Sequence, residues 1–293
     1  MILLTGATGE VGAALLRRLT VDGERIRCLV RDPRRLGPER VRVQIAIGDL
    51  SDPGSFRNAM RGVKTVVHLA SPIRDQPRGS IEELNAIATL RLVRAAERAG
   101  AERFVFFSAL GTSRHAGTRF FRAKALAEQA VVESSVPSTI FAPSIVYAPD
   151  NYWMRLLDRL TLLPAVPVSG SGDTPYQPIW TEDVADCARA SLQRDTDGAN
   201  HRYELAGPET LTYSEIVRLV MRAHGRRRRM LHVPLSVVKP LLRAHQAVAA
   251  GAAAVTWEEA ELMELPMISE RGAADAESLG VRPLPMREVL ATR

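Results

Sequence analysis

Short apolar runs and amphipathic segments alternate along the first half of the chain. The apolar runs are rich in β-branched and aromatic residues, and a polar stretch with glycine or proline follows each of them. Their apolar positions are continuous rather than alternating, which is typical of strands covered on both faces of a parallel sheet. The pattern predicts strands over residues 2–5, 26–30, 41–47, 65–69, 104–107 and 139–141.

Helical periodicity occupies the segments between these runs. The apolar faces comprise Val11, Leu15, Leu16 and Leu19 in a first helix, and Leu84, Ile87, Leu90, Val93 and Ala96 in a longer helix that ends at Gly100. Repeated strand–helix units predict an α/β fold built on a doubly wound parallel (Rossmann) sheet.

The rhythm changes after Pro143, where prolines separate shorter elements. Thr181 is predicted to cap a helix that runs to about Gln193, and another helix is expected to begin near Thr212. We therefore expect a nucleotide-binding core over residues 1–145. Residues 146–293 form a smaller C-terminal lobe on the substrate side, interleaved with the core in one overall domain.

Composition narrows the class of protein. The chain has 293 residues, of which 46% are hydrophobic and 25% charged, as in ordinary soluble domains. The net charge of +6 is spread along the sequence, so it suits an anionic ligand and does not indicate nucleic-acid binding. Cys28 and Cys187 lie in separate apolar segments, and we expect both to be buried, reduced thiols of a cytoplasmic protein.

The N-terminal run and two segments of the second half of the chain are candidate membrane-associated or ligand-binding segments. The N-terminus lacks a basic region before its apolar run, so no signal peptide is expected. Prolines and basic residues interrupt the apolar stretch 231–257, which argues against a transmembrane span and leaves an amphipathic element on the core, a partner or a membrane surface. The basic run 226–229 is either a solvated turn or a patch for phosphate or an acidic partner.

A glycine-rich turn follows the first predicted strand and opens the first predicted helix. In "LLTGATGEVG", Gly6 permits a tight turn, Gly9 permits close approach of the backbone to a pyrophosphate, and Gly12 permits close packing of helix and strand. Main-chain N–H groups at the start of the helix then face the anion. The segment predicts a dinucleotide-binding loop.

The end of the second strand indicates which dinucleotide is bound. An acidic residue there favours NAD because it bonds the ribose hydroxyls, whereas an arginine pairs with the 2′-phosphate of NADP. Arg31 occupies this position, with Arg34 and Arg35 nearby, and Asp32 lies one position further on. We therefore expect NADP(H) to be favoured over NAD(H).

The T-G-x-x-G-x-x-G spacing resembles the short-chain dehydrogenase/reductase superfamily in its extended and atypical branches. The resemblance covers essentially the whole chain and is strongest over residues 1–150. It is closest to the atypical group that includes the nucleotide-binding accessory subunit of respiratory complex I and the redox-sensing NmrA-like proteins. The resemblance implies cofactor contacts by the residues Gly6, Thr8, Gly9, Glu10, Val11, Gly12, Arg31, Arg35, Asp49, Leu50, Ala70, Ser71, Lys124, Pro143, Ile145 and Val146. Taken alone, Asp49 would be a turn residue or the cap of a helix over 52–60.

The same resemblance implies a reaction centre in which one residue is changed. Ser108 would hold a substrate carbonyl and Lys124 the nicotinamide ribose, while the position of the usual proton-donating tyrosine holds Phe120. Without this context Lys124 would be a surface lysine paired with Glu128. The substitute proton donors that the sequence offers are Tyr147, Tyr152, Tyr176, His115 and Lys124 itself. Asp183 is expected to be a structural acid in the first turn of its helix, and no metal cluster is expected.

Three functions stay open at this point. The chain is an NADPH-dependent reductase of a small, largely apolar carbonyl or enone, a binding protein that holds NADPH as a sensor or accessory subunit, or a non-redox isomerase or cyclase on the same fold. A small-molecule substrate is expected, with a protein partner or homodimer as an open alternative, and neither nucleic acid nor a membrane span is expected.

Overall fold

A seven-stranded parallel sheet forms the centre of the computed structural model, which describes residues 1–195, 197–249 and 256–291. The strand order is β11-β6-β5-β4-β1-β2-β3, and all six neighbouring pairs are parallel. Its strands are β1 (Ile2–Thr5), β2 (Ile26–Val30), β3 (Gln44–Ile47), β4 (Thr65–His68), β5 (Arg103–Phe107), β6 (Ser138–Pro143) and β11 (His201–Leu205). This is the doubly wound α/β fold that the sequence predicts.

Helices cover both faces of this sheet. The helices of the first part of the chain are α1 (Glu10–Val21), α2 (Gly54–Ala59), α3 (Ala88–Arg98) and α4 (Arg119–Val132), and α6 (Thr181–Leu192) joins them. Strand residues alternate between two buried clusters: Leu4 packs with α1 and α6, and its neighbour Leu3 packs with α2, α3 and α4. Both clusters are apolar, which explains why the strands are hydrophobic at consecutive positions.

Further strands and helices make up the rest of the second half of the chain. They are β7 (Val146–Tyr147), α5 (Tyr152–Leu160), β8 (Ala165–Ser169), β9 (Pro175–Tyr176), β10 (Ile179–Trp180), β12 (Leu211–Thr212), α7 (Tyr213–Ala223), β13 (Arg229–Val233), α8 (Leu235–Ala249), α9 (Trp257–Leu262), α10 (Ala274–Ser278) and α11 (Met286–Ala291). The short strands pair as β7 with β10, β9 with β12, and β8 with β13. Because β11 joins the main sheet, the chain beyond residue 145 contributes to both parts of the fold.

The third strand is shorter than predicted. It begins at Gln44 rather than at residue 41, because a 3-10 helical segment over Pro33–Val41 precedes it. Asp32 caps that segment by accepting a hydrogen bond from the Arg34 amide at 3.0 Å. Pro33 and Pro38 favour such turns over an extended strand.

The predicted apolar face of the longer helix is wrong at two positions. A π-helical turn over Glu83–Ile87 precedes α3 and holds more residues than an α-helical turn, which rotates the following side chains. Ile87 therefore faces solvent and Leu90 is only partly buried, while Ala88, Thr89 and Leu92 are buried instead.

The helix cap predicted at Thr181 is also wrong. Thr181 is the first residue of α6 and makes no capping bond; its hydroxyl donates to the Tyr147 carbonyl at 3.0 Å. Thr212, in contrast, caps α7 with a reciprocal bond to Glu215. Cys28 and Cys187 are free and buried, as expected. Within the described ranges, none of the helices combines the length and the hydropathy that a membrane crossing needs.

Candidate functional site

The predicted cofactor residues lie along one edge of the sheet. In a parallel sheet all strands end at the same edge, so each strand presents the residue that follows it there. The residues just after the strand ends, in sheet order from β3 to β5, are Asp49 and Leu50, Arg31, Gly6, Ala70 and Ser71, and Ser108, and Pro143 is the last residue of β6. With neighbouring strands roughly 4.8 Å apart, Arg31 after β2 and Ser108 after β5 stand about 14 Å apart. This edge is long enough for an extended ligand.

Close backbone contacts explain two of the three glycines of the loop. Gly6 has a φ of 75°, and a Cβ there would lie 2.5 Å from the Ala70 nitrogen. A Cβ on Gly12 would lie 2.1 Å from the Gly6 carbonyl oxygen. Gly9 is the N-cap of α1, and its amide donates to the Gly6 carbonyl at 2.9 Å. The turn is therefore built so that α1 begins against the ends of β1 and β4.

The first amides of α1 have no acceptor within their own helix, because the donors of a first turn have none. Those of Glu10, Val11 and Gly12 form the positive end of the helix dipole, as the sequence predicts for an anion site. Thr8 lies in the turn before them and is partly buried.

The Glu10 side chain connects this loop to the second half of the chain. The Asn151 side chain and the Tyr152 main chain, at the start of α5, lie close enough to its carboxylate to lower its pKa by hydrogen bonding. Asn151 also caps α5, since its Oδ1 accepts from the Met154 amide at 2.7 Å. Burial raises the pKa of Glu10, while these hydrogen bonds act in the opposite direction. The contact holds α5 beside the phosphate loop.

The three arginines after β2 differ in their partners. Arg34 is paired with Asp32, with a distance of 3.1 Å between Nε and Oδ1. Arg31 and Arg35 are exposed, and their side chains make no hydrogen bond or ion pair with any residue in the described parts of the chain. Two guanidinium groups are thus available at the adenosine end of the predicted site.

Asp49 follows β3 and is engaged by the protein itself. Its Oδ1 accepts from the Ser51 amide at 3.1 Å, and its Oδ2 lies 3.7 Å from Nη1 of Arg78. Leu50 packs partly against the cluster that contains Leu3. Asp49 is therefore a turn residue, and the alternative that it caps the following helix is wrong, because Pro53 is the N-cap of α2.

The predicted reaction centre lies on α4 and after β5. Phe120 and Lys124 are one helical turn apart and face each other, with 6.0 Å between the ammonium nitrogen and the ring centroid. Lys124 is only 2% exposed and its Nζ donates to the Phe107 carbonyl at the end of β5. Burial lowers the pKa of Lys124 to about 7. Lys124 thus contacts neither solvent nor Glu128 as a surface lysine would, and it supports the strand that carries Ser108.

Ser108 is nearly buried and takes part in a short hydroxyl chain. The Thr112 hydroxyl donates to the Ala109 carbonyl at 2.6 Å, so its oxygen accepts from Ser108 across 3.3 Å. The Ser108 amide donates to the Phe141 carbonyl at 2.7 Å, which ties this loop to β6. Rotation about one bond would turn the Ser108 hydroxyl toward another acceptor.

The substitute proton donors are placed very differently. Tyr147 and Tyr176 are fully buried; the Tyr176 hydroxyl donates to the Met263 carbonyl, and that of Tyr147 has no partner among the described residues. Burial raises the pKa of Tyr147 strongly, so its proton is tightly held. Tyr152 is exposed at the start of α5, and His115 is exposed in the loop before α4.

The segment after β6 forms a support for this end of the site. The Pro143 carbonyl accepts from the Leu110 amide at 2.9 Å, and the Ile145 carbonyl accepts from the Ile179 amide at 3.0 Å. Val146 pairs with Ile179 in the short β7–β10 ladder. Asp183, in the first turn of α6, accepts from the Leu284 amide at 2.9 Å, and burial raises its pKa to about 6.

A row of buried, hydrogen-bonded polar side chains lies beneath the sheet edge, and the sequence patterns did not predict it. Nδ1 of His68 lies 2.6 Å from the Thr5 hydroxyl and Nε2 lies 3.0 Å from the Thr89 hydroxyl. Because Thr89 donates its proton to the Asn85 carbonyl, it accepts from His68, so Nε2 carries the imidazole proton. Burial, aided by the charge of Lys124, lowers the pKa of His68 to about 3.

Asn85, in the π-helical turn, completes this row of side chains. Its Oδ1 accepts from the Ser71 hydroxyl at 2.9 Å, and its Nδ2 donates to the carbonyls of Pro72 and Ile81. These hydrogen bonds therefore hold Ser71 and the loop after β4 in place. The one sign of these hydrogen bonds in the sequence was Asn85 itself, a polar residue on the core-facing side of a predicted helix.

Comparison with known proteins identifies relatives over most of the chain. Residues 1–288 match the NmrA-like family. The mitochondrial NADH dehydrogenase (ubiquinone) 1 alpha subcomplex subunit 9 of Arabidopsis thaliana is 28% identical over 251 residues, a match that spans 80% of this chain and 61% of that relative. The ceramide reductase of Caulobacter vibrioides is 27% identical over 236 residues, 80% of this chain and 74% of the relative.

A solved structure shows the same fold. The triphenylmethane reductase of Citrobacter sp., solved as a complex with NADP(H), superposes with a TM-score of 0.75 at 17% identity over 99% of both chains. The sheet order, the glycine loop and the family match lead to one assignment: this chain belongs to the NmrA-like family, among the NAD(P)-binding proteins of the short-chain dehydrogenase/reductase type.

Proposed function

We propose that this protein is an NADP(H)-dependent reductase of a small, largely apolar carbonyl or enone compound. The observation that carries the proposal is the row of predicted residues at the carboxyl edge of the sheet, from the unpaired Arg31 to Ser108. The family match supports a nicotinamide dinucleotide, and the two free guanidinium groups of Arg31 and Arg35 support the 2′-phosphate.

The chain's own residues would bind and orient this cofactor. The amides at the start of α1 would hold the pyrophosphate, and Gly6 and Ala70 would let it approach the ends of β1 and β4. The loop after β6, from Pro143 to Val146, would contact the carboxamide. When bound, the nicotinamide supplies a hydride to the substrate carbon.

Ser108 would hold the substrate oxygen by turning its hydroxyl from Thr112 toward it. The proton that this oxygen finally needs would come from water or from Lys124, whose lowered pKa makes it a better acid than an exposed lysine. Phe120 belongs to a buried cluster with Ile81, Ala109, Leu110 and Phe121, and this apolar setting favours an apolar substrate.

The enclosure of Lys124 favours a second candidate, a protein that holds NADPH without turning it over. Lys124 is bonded to Phe107 inside the protein, and the residue facing it has no hydroxyl. The NADH dehydrogenase relative from Arabidopsis thaliana is by name a subunit, which is consistent with this role. A protein partner would then use the bound cofactor as a structural or sensing element.

Turnover of the cofactor separates the two candidates. The purified protein is mixed with NADPH and a panel of aliphatic and aromatic ketones and enones, and oxidation of NADPH is followed by absorbance. Substrate-dependent oxidation that falls about a hundredfold in Ser108→Ala, but not in Ser113→Ala from the same loop, supports the reductase. Tight NADPH binding without oxidation by any compound supports the binding protein, and oxidation unaffected by Ser108→Ala contradicts the proposed site.

A further inference from the structure

One part of the surface combines exposed aliphatic side chains with arginines that have no partner. Between Glu215 and Glu258 the sequence contains eight basic residues and no acidic residue. The structure places part of this segment in β13 and α8. We call the exposed side chains of residues 162–163, 227–231 and 237–243 the arginine–leucine surface.

The apolar part of this surface comes from neighbouring pieces of chain. β13 pairs in parallel with β8, with Leu231 opposite Pro167, and Leu162 and Leu163 lie in the turn just before β8. α8 begins two residues after β13 and packs through positions 235, 238 and 242, which leaves Val237 and Leu241 outward one turn apart. The exposed fractions are 60% for Leu162, 44% for Leu163, 57% for Leu231, 52% for Val237 and 66% for Leu241.

The charged part consists of arginines that the protein itself does not use. Arg226 is bound by Asp158, with 2.6 Å between Nη1 and Oδ1. The side chains of Arg227, Arg228, Arg229 and Arg243 form no ion pair or hydrogen bond within residues 1–195, 197–249 and 256–291. Elsewhere many arginines are paired, such as Arg18 with Glu182 and Asp186. An excess of positive charge therefore remains beside the leucines.

We propose that the arginine–leucine surface docks the protein on an anionic lipid bilayer. Basic side chains are attracted to anionic headgroups, while neighbouring leucines bury in the boundary between headgroups and acyl chains. A nucleic acid would satisfy the arginines but would leave five exposed aliphatic side chains against phosphate or water, so the lipid surface accounts for more of the observations. Docking is attachment to the surface and not insertion of a span.

Lys239 and Trp257 support the geometry of this contact. The Lys239 ammonium nitrogen lies 4.8 Å from the centre of a Trp257 ring, which holds α8 against the start of α9. The outward residues of α8 are thus presented on a supported helix. The proposal is independent of the proposed reductase, because vesicle binding is measured without cofactor or substrate.

Cosedimentation with vesicles tests the proposal. The full chain is incubated with vesicles of phosphatidylcholine alone or mixed with phosphatidylglycerol, and the bound fraction is measured at low and high salt. Since each basic residue at an anionic surface contributes roughly fivefold in partitioning, binding to the mixed vesicles should exceed binding to phosphatidylcholine by at least about tenfold and fall with salt. Equal binding to both vesicle types overturns the proposal.

Two matched pairs of double variants identify the surface. Leu231→Ser with Leu241→Ser, and Arg227→Glu with Arg228→Glu, should each weaken binding by at least about tenfold. Val21→Ser with Val41→Ser, two equally exposed valines, and Arg91→Glu with Arg94→Glu on α3 are the controls and should change it by less than about twofold. Circular dichroism checks that all four fold.

The outcome of these pairs decides the nature of the partner. If Arg91→Glu with Arg94→Glu weakens vesicle binding as much as Arg227→Glu with Arg228→Glu does, the net charge of the protein and not this surface is responsible. Retained binding in the leucine pair shows that no apolar insertion occurs. Binding to RNA that survives the leucine pair, with no preference for anionic vesicles, assigns the surface to a polyanion instead, and each of these results contradicts the proposal.

Discussion

The ammonium group of Lys124 donates its hydrogen bond to the main-chain carbonyl of Phe107, so a side chain of α4 holds the end of β5. The same nitrogen lies 4.5 Å from the centre of the Phe106 ring. Lys124 is thereby enclosed by the end of β5 and is only 2% exposed. This burial lowers the pKa of Lys124, and the pH dependence of stability measures that change.

Stability should depend on pH through Lys124. Its pKa is about 7 in the folded protein and near the ordinary lysine value of 10.5 when unfolded, so the unfolded state binds more protons between these values. The free energy of unfolding of the wild type should therefore rise with pH from about 7, relative to Lys124→Met, by up to about 1.4 kcal/mol per pH unit. Urea unfolding at pH 7, 8 and 9 measures this difference.

Lys64→Met is the control for this experiment. Lys64 is exposed and its bond to Glu102 raises its pKa, so it stays protonated over the same range. Parallel pH profiles for the wild type and Lys124→Met would contradict the account of the buried ammonium.

His68 should stay neutral far into acid. Its Nε2 donates to Thr89 and its Nδ1 accepts from Thr5, and burial lowers its pKa to about 3. Nitrogen NMR of the labelled imidazole should show a protonated Nε2 and an unprotonated Nδ1 that do not change between pH 7 and about 5, where a free histidine titrates. A His68 imidazole whose nitrogen shifts change between pH 7 and about 5 would contradict these hydrogen bonds.

Gly12→Ala should disturb the loop. The added Cβ would lie 2.1 Å from the Gly6 carbonyl, so backbone must move, at a cost of about 1–3 kcal/mol in the free energy of unfolding. NADPH affinity should fall with it, because α1 and the turn no longer meet. Gly117→Ala is the control: a Cβ there meets no atom within 4 Å. Equal stability and NADPH affinity in both variants would exclude this packing.

Phe120→Tyr should create or raise reductase activity. The new hydroxyl would extend from a ring that already faces Lys124, and a positioned general acid contributes about 100-fold or more to rate. Phe121→Tyr is the neighbouring control, because Phe121 is fully buried and its ring contacts the position of Gly111 instead. An unchanged NADPH oxidation rate in well-folded Phe120→Tyr would show that the site is not arranged for carbonyl reduction.

The elements that the sequence predicts best are those with one strong cause. The strands 2–5 and 26–30 were predicted with the observed bounds, because both are buried on two faces and end at a glycine turn or a charged pair. The start of the third strand at residue 41 and the burial of Ile87 were predicted wrongly. A 3-10 turn precedes that strand and a π turn contains Ile87, and such turns do not follow a 3.6-residue period.

The candidate site divides in the same way. The contact between Gly12 and Gly6 lies within one local motif, so spacing alone predicts it, whereas the contact of Gly6 with Ala70 joins residues far apart in the sequence. The partners of His68 are 63 and 21 residues away, and the enclosure of Lys124 depends on a strand 17 residues before it. Such contacts depend on how strands and helices meet, which no local pattern contains. Which residues contact a cofactor stays a prediction.

The cofactor preference of the edge near Arg31 tests the central claim most directly. Calorimetric titration of the wild type, Arg31→Ala and Arg34→Ala with NADPH and NADH compares a free arginine with one that Asp32 already binds. The account predicts NADPH binding at least about tenfold tighter than NADH, a preference mostly lost in Arg31→Ala and kept in Arg34→Ala. Equal affinities of the wild type for the two cofactors, or no heat with either, would contradict it.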